Sequence, residues 1–477
     1  MSIIRQNNFQ GGLSDSLNIG VKGSFYESCG CDIHSEPGVL KVNQKLTKES
    51  GDTVIGFIKC KVQGSDGSTY FGDDLGKIYK RTSAGSWSVA YTDTGADPIL
   101  GIGEFNGYFY WATYNKLHRM IIAGNWAGDV ANDWATFTNA DTSYHPMLAI
   151  GLFLFIGDGR AIASVDDTGL FTANGTPDVT FIGLPFGYRI RCFFQYDIDL
   201  LIGTWVSSTI NKARVFRWDT VSASYMSTDD IDETGVNAFI PIGNSVFAQC
   251  GKFGNFYFYD GQNLSEPPAK KLRGTYSPTS YMNIYPEAVA NLKGLQMFGV
   301  SNGAGNPCKQ GVYSLGRYDK NYPLALNLEN PVSLNVTEDV EIGIVHSIGS
   351  DLLVSYKQGS ATPFAYGVDE LDYTAKYASP YITTINLAPN RYISKSFKKY
   401  IVGYKSKPTG TDITLSYLKN TATPVTITLR DKTDEQHLEG HDQIDGGLFQ
   451  LKITASPSSN SAPEIDELAI TYEPKLL

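Results

Sequence analysis

Residues 243–264, GNSVFAQCGKFGNFYFYDGQNL, constrain the fold more than any other stretch. Short aromatic and β-branched runs bounded by Gly and Asp argue for antiparallel strands and against helix. Val246, Ala248 and Cys250 fall on one face of a first strand, with Ser245, Phe247 and Gln249 on the other. A turn at residues 251–254 leads to a second strand at 256–259, and Asp260-Gly261 supplies the next turn. Similar units recur along the chain, among them TYFG with GKIY at 69–79, YFYW with KLHR at 108–119, and LLIG with RVFRW at 200–218.

Units of this kind begin near Thr53, Pro98, His145, Tyr188, Val236, Glu287 and Glu341. Their spacing clusters at roughly 45 to 50 residues, as expected of four-stranded propeller blades. Each opens on an apolar run, such as 54–58, 99–102, 147–150 and 190–194, continues through a hairpin, and ends in a more polar segment. The predicted fold is all-β: a β-propeller of about seven blades over residues 51–379, with a C-terminal β-sandwich over 380–477 and an N-terminal arm over 1–50. The sandwich follows from six mostly alternating runs at 381–385, 397–402, 413–417, 425–429, 448–453 and 465–472. The arm is polar and Gly-rich at 7–16, with short strands near Cys29 and at 39–42. Such an arm pairs with its own C-terminal domain or with a neighbouring subunit. Long loops at 122–144 and 302–330 are the expected contact sites for partners.

The 477 residues include 48 Gly and 29 Tyr, a balance favouring turn-rich β structure. A net charge of −10 argues against a broad nucleic-acid or anionic-membrane face. Lys395, Lys398, Lys399, Lys405 and Lys407 cluster in sequence, but they spread over both faces of a strand and a following loop. Six scattered cysteines, Cys29, Cys31, Cys60, Cys192, Cys250 and Cys308, form no disulfide framework and suit a reducing compartment. No apolar run reaches membrane-spanning length, and the first residues lack the apolar stretch of an export signal.

The search for chemistry finds little. Asp73-Asp74, Asp166-Asp167, the run Asp229, Asp230, Asp232, Glu233, and Asp369-Glu370 could supply the paired carboxylates of a glycosidase. All sit in turn-like segments where acids cap and solvate. His34-Ser35 and His346-Ser347 are strand neighbours and point to opposite faces. Cys29 and Cys31 would share a strand face, and His34 would join them at a metal only across a turn; no fourth ligand is evident. His437 and His441 read as part of a polar loop. The expectation is a non-enzyme with no catalytic, metal or cofactor-binding residues and no cofactor. Trp111, Trp126, Trp134, Trp205 and Trp218 keep open a second reading, a carbohydrate- or receptor-binding propeller or a propeller glycosidase, although such rings are more often core.

The whole arrangement resembles virion proteins of tailed bacteriophages, notably the tail nozzle proteins of short-tailed phages. The resemblance rests on NFQGGLSDS at 8–16, HSEPGV at 34–39, GVYSLGR at 311–317 and PEIDELAI at 463–470. It implies a structural protein that self-associates into a ring, commonly a hexamer, at the lower end of a tail. Such a ring contacts other tail or neck proteins, is assembled in the host cytoplasm, and surrounds a channel through which DNA passes during ejection without sequence-specific binding. An acidic chain suits that lumen, because like charge keeps DNA from adhering. On this view, deleting residues 2–18 should leave a folded propeller that no longer assembles.

Overall fold

The sheet formed by residues 236–271 explains the architecture from its residues. In the computed structural model of the chain, Val236–Ile242, Ser245–Cys250, Asn255–Tyr259 and Lys270–Lys271 form an antiparallel four-stranded sheet in chain order. Successive side chains on a strand point to opposite faces. Val246, Ala248 and Cys250 therefore pack with Cys192, Leu201 and Val215 of the preceding sheet. Phe247 and Phe256 pack with Met297, Phe298 and Val300 of the following one. Both faces are buried because the sheet stands between two others.

The structure describes residues 2–474 except 19, 127, 140–142, 207–211, 252–253, 266–267, 273–282, 303–309, 333–338, 388–394, 420–422 and 447–448. Cys308 and parts of both long loops lie outside the described residues. Among the described residues there is no α-helix, only a 3-10 turn at Thr433–Glu435, and no helix is long and apolar enough to cross a membrane.

Seven four-stranded antiparallel sheets are found among these residues. They open with Ile58–Gln63, Gly101–Phe105, Met147–Ile150, Tyr188–Tyr196, Val236–Ile242, Val289–Leu292 and Val340–Ile348. Each opening strand neighbours the next, and the seventh neighbours the first. The strands of sheets one and two start later than their apolar runs suggest. Val54 lies ahead of its strand and packs against Ile344, Leu353 and Val368 of sheet seven. Apolarity there reports burial between sheets and not ladder pairing. Small residues on second strands let neighbouring sheets approach. A Cβ at Gly203 would lie 2.5 Å from Cys192 Sγ and 2.9 Å from Val236, and one at Gly299 would lie 2.3 Å from Ile342.

Residues 1–50 do not stand apart. Gln44–Lys48 is the outer strand of sheet seven, pairing with Ala365–Lys376. Ser2–Gln6 pairs with Glu464–Pro474, and Ser24–Cys29 pairs with Tyr381–Thr384. The arm thus pairs with its own C-terminal region. Two six-stranded sheets result. One runs Ser2–Gln6, Glu464–Pro474, Lys395–Ser406, His437–Gly440, Leu429–Lys432, with Ile444–Gly446 also on Lys395–Ser406. The other runs Gly12–Leu13, Ser24–Cys29, Tyr381–Thr384, Gln450–Ser456, Asp412–Leu418, Val425–Ile427. Phe9, Phe25, Ile382, Phe397, Tyr400, Leu451 and Leu468 share one buried core between them.

The segment between these pairings covers the outer edge of sheet six. Asn327 Nδ2 donates to the Cys31 carbonyl (2.6 Å), Ser28 Oγ to Asn327 Oδ1 (2.7 Å), and Asn330 Nδ2 to the Gln44 carbonyl (2.8 Å). An otherwise open sheet edge is thereby paired and protected.

Candidate functional site

Most residues singled out from the sequence serve structure. Asp73 is buried and accepts from Leu75 N, Lys77 N and the Tyr79 hydroxyl, closing a turn. Asp74 accepts from Phe57 N, and Asp166 from Thr168 N and Leu170 N. Asp230 pairs with Arg214, Asp232 with Lys212, and Glu370 lies 3.8 Å from Arg81. Lys398, Lys399, Lys405 and Lys407 each meet an acid, Glu473, Glu439, Glu36 and Asp431, so no basic patch forms. His346 Nε2 faces Gln63 and burial lowers its pKa to about 4. Trp111 and Trp218 are fully buried, while Trp126 lies over Tyr70, Phe109 and Trp111, and Trp134 lies beneath Arg119. Trp111 and Trp218 are core, Trp126 and Trp134 are half-buried against it, and Trp205 is half-buried beneath Arg189.

Two metal candidates resolve differently from their sequence reading. Gly30, at φ +66°, breaks the strand between Cys29 and Cys31, so the thiols do not share a face. Cys29 joins the core around sheets six and seven, and Cys31 joins the C-terminal core. A side chain at Gly30 would meet the Tyr377 ring at 2.2 Å. His437 begins a strand, His437–Gly440, and is not in a loop. It and His441 flank Glu439 at 3.4 and 2.5 Å, and Lys399 leads the groups holding that carboxyl down to about 2. No group of three or more potential ligands gathers among the described residues.

His34 sits elsewhere than expected, in a buried polar cluster against sheet six. Ser314 Oγ donates to Glu329 Oε1 (2.6 Å), as does Asn327 Nδ2 (2.9 Å), and Asn43 Nδ2 donates to Glu329 Oε2. His34 Nε2 lies 3.0 Å from Ser314 Oγ. Burial, aided by Asp32, pushes the Glu329 carboxyl up to about 8 despite its three donors. Burial lowers the His34 pKa to about 4. Both groups are therefore neutral at pH 7 and clasp residues 32–43 to the sheet. The serine lies between histidine and acid and is fully buried, an order and a depth that do not suit nucleophilic attack.

The clasp gives a pH signature. The raised Glu329 pKa contributes stability that is complete below about 4.5 and is lost as pH rises toward 8. The lowered His34 pKa contributes stability present above 6.5 and lost as pH falls toward 4. The two oppose each other between, so only Glu329 acts from 6.5 to 8. Melts of the wild type and Glu329→Gln are expected to diverge over that window, the wild type losing up to about 1.4 kcal/mol per pH unit relative to the variant. Parallel curves from pH 6 to 8.5 would show Glu329 to be ionised in the folded chain.

The clasp is the floor of a cleft of about 510 Å³ walled by the arm, sheet six and sheet seven. A second polar group lies where the opening strands of sheets one, six and seven meet. Lys61 Nζ donates to the carbonyls of Glu287 (2.7 Å), Val289 (3.0 Å) and Val345. All three ammonium protons are used, and burial lowers the amine to about 8. Nearby, Tyr285 donates to Glu341, which also takes Lys357 at 2.8 Å. Arg191 binds Asn283 at 2.8 Å and lies over Tyr144. The sequence signal for this group was available: charged residues inside strands that open a unit, as in Lys59, Lys61, Arg189 and Arg191.

Comparison with family models and with curated proteins finds no match. Solved structures with a similar shape exist. Virginiamycin B lyase from Staphylococcus aureus matches with a TM-score of 0.43 and 10% identity, over 69% of this chain and 98% of that one. The computationally designed Ika8 protein matches with a TM-score of 0.42 and 9% identity, over 69% and 99%. The extracellular domain of BT4673 from B. thetaiotaomicron matches with a TM-score of 0.48 and 13% identity, over 82% of this chain and 48% of that one. This chain thus spans about half the length of that domain. The scores are low, and the functional reading rests on this chain's own geometry.

Proposed function

We propose that the seven four-stranded sheets are the blades of a closed seven-bladed β-propeller, that the two six-stranded sheets are a β-sandwich, and that the protein is a structural, ring-forming component of a tailed-phage virion. Its place is a tail nozzle or neck around the DNA channel. The observation that supports a structural role is the double use of the first fifty residues. One segment completes sheet seven and another supplies strands to both C-terminal sheets, so the two parts are tied at several points by backbone ladders. The polar clusters serve the same end. Lys61 ties three opening strands, and the His34–Glu329 clasp ties the arm to sheet six. The acidic net charge supports a lumen that DNA traverses without adhering.

Mass photometry of the purified protein, alone and with portal and adaptor proteins of a short-tailed phage, tests this reading. A discrete ring mass, alone or with those partners, is the expected outcome, with each interface burying more than about 1,000 Å². A monomer that persists with every partner overturns it.

A further inference from the structure

The cleft above the clasp has a composition that the structural role does not require. Its floor carries Asp32, His34, Asn43 and Glu329, and its rim carries Lys293, Arg317, Tyr318 and Tyr373. Three remote segments converge to build it. Lys293 is in the turn after Val289–Leu292, Arg317 and Tyr318 follow Gly311–Gly316, and Tyr373 belongs to Ala365–Lys376. Its volume lies within the range of about 300–1,000 Å³ typical of small-molecule sites. Groups with displaced proton affinities at the base of a cleft are a further mark of a binding site.

We propose that this cleft binds an acidic saccharide, a sugar ring bearing a carboxylate. Charge selects the anion. Lys293 and Arg317 are exposed and have no carboxylate partner among the described residues, whereas lysines 398, 399, 405 and 407 each have one. Against these two cations stands Asp32, whose Oδ1 already caps His34 N and Ser35 N. With the Glu329 carboxyl neutral, the cleft holds one surplus positive charge in a chain of net charge −10. Arginine offers a planar fork suited to a carboxylate. Shape and polarity select the sugar. Tyr318 is 46% and Tyr373 41% exposed; the Tyr373 hydroxyl donates to the Ser350 carbonyl, which holds its ring at the rim beneath Lys293. Both Asn43 amide protons go to Glu329, so the Asp32 carboxylate and the Asn43 side-chain carbonyl offer acceptors toward hydroxyls. Of the tryptophans, the more obvious sugar platforms in the sequence, Trp111 and Trp218 are buried in the core and none lines this cleft. Recognition falls instead to two tyrosines that no local motif marks.

Calorimetric titration of the full chain with a panel of glucuronic- and galacturonic-acid disaccharides, beside cellobiose as the neutral counterpart, tests the proposal. Saturable binding at one site is expected for at least one acidic member, and at least about tenfold weaker binding for cellobiose. Arg317→Glu and Tyr318→Ala should each weaken the acidic sugar by about tenfold or more, with unchanged melting. Lys22→Glu, an equal charge change on the exposed arm, should leave binding intact. The proposal is overturned if no acidic member binds, if cellobiose binds equally well, or if Arg317→Glu and Lys22→Glu behave alike.

Discussion

Replacing Phe9 with alanine is expected to destabilise the C-terminal sheets by about 3–5 kcal/mol, the usual cost of emptying a buried aromatic site. Deleting residues 2–18 should abolish their folding altogether. Phe9 is fully buried in the core shared by the two six-stranded sheets. Before it, all five residues of Ser2–Gln6 pair with the final strand, from Tyr472 back to Leu468. After it, buried Gln10 donates to the carbonyls of Ile33 (3.2 Å) and Glu36 (3.0 Å) and accepts from Gly38 N (3.1 Å). The deletion removes an edge strand, a core ring and the support of the 33–38 turn together. The result can be read separately in the two parts of the molecule. All six tryptophans lie between residues 87 and 218, so their fluorescence reports on the first four sheets alone. Hydrogen exchange at 395–406 and 464–474 reports on the C-terminal sheets. Exchange there should accelerate while the fluorescence transition moves less. Unchanged exchange in Phe9→Ala would mean that the ring at position 9 is not part of that core. It follows that loss of assembly on deleting residues 2–18 cannot by itself identify an assembly arm, contrary to the expectation from sequence.

How far the sequence was legible depends on the distance over which each feature is encoded. Opening strands begin at Tyr188 and Val236, where the sequence places the starts of the units, and contain the apolar runs, because a sheet buried on both faces needs a continuous apolar run. Most alternating C-terminal runs mark strands, but the run at 425–429 divides into Val425–Ile427 and the start of Leu429–Lys432, which belong to different sheets. His437–Gly440 escaped because a four-residue strand with one apolar residue, HLEG, carries almost no pattern. Cys29 and Cys31 misled because a single glycine conformation at residue 30 cancels the period-two rule. The clasp was out of reach altogether. His34 and Ser314 are 280 positions apart, Ser314 sits singly in a strand that otherwise reads as core, and Glu329 lies in ALNLEN, a strand that alternates apolar and polar residues. Nothing short of the fold brings such residues together.

Leu46 is the second position where one change should have a large effect. Gln44–Lys48, QKLTK, has a single apolar residue, and its sequence gives little reason to expect a strand. Yet it pairs with Ala365–Lys376, Leu46 opposite Leu371, and Leu46 is buried beside Leu352, Val354 and Tyr356 of the same sheet. Immediately beyond it, Glu49 N donates to the Val368 carbonyl (2.8 Å), and Glu49 takes Arg81 of sheet one at 2.6 Å. The segment therefore joins the last sheet to the first. Leu46→Ala should cost about 2–5 kcal/mol through the cavity alone. Leu46→Pro leaves a similar cavity and also imposes a fixed backbone angle on the strand. The combined loss is a large part of the stability of a typical domain, about 5–15 kcal/mol. Thermal unfolding followed by tryptophan fluorescence should then fall by well over about 10 °C for the proline variant, with the alanine variant between it and the wild type. The fluorescence matters because no tryptophan lies in sheet seven. A shift seen from sheets one to four means that closure by the first fifty residues stabilises the ring as a unit. If Leu46→Pro instead melts with the wild type by this probe while sheet seven alone loses exchange protection, the sheets unfold independently and the closed propeller reading fails.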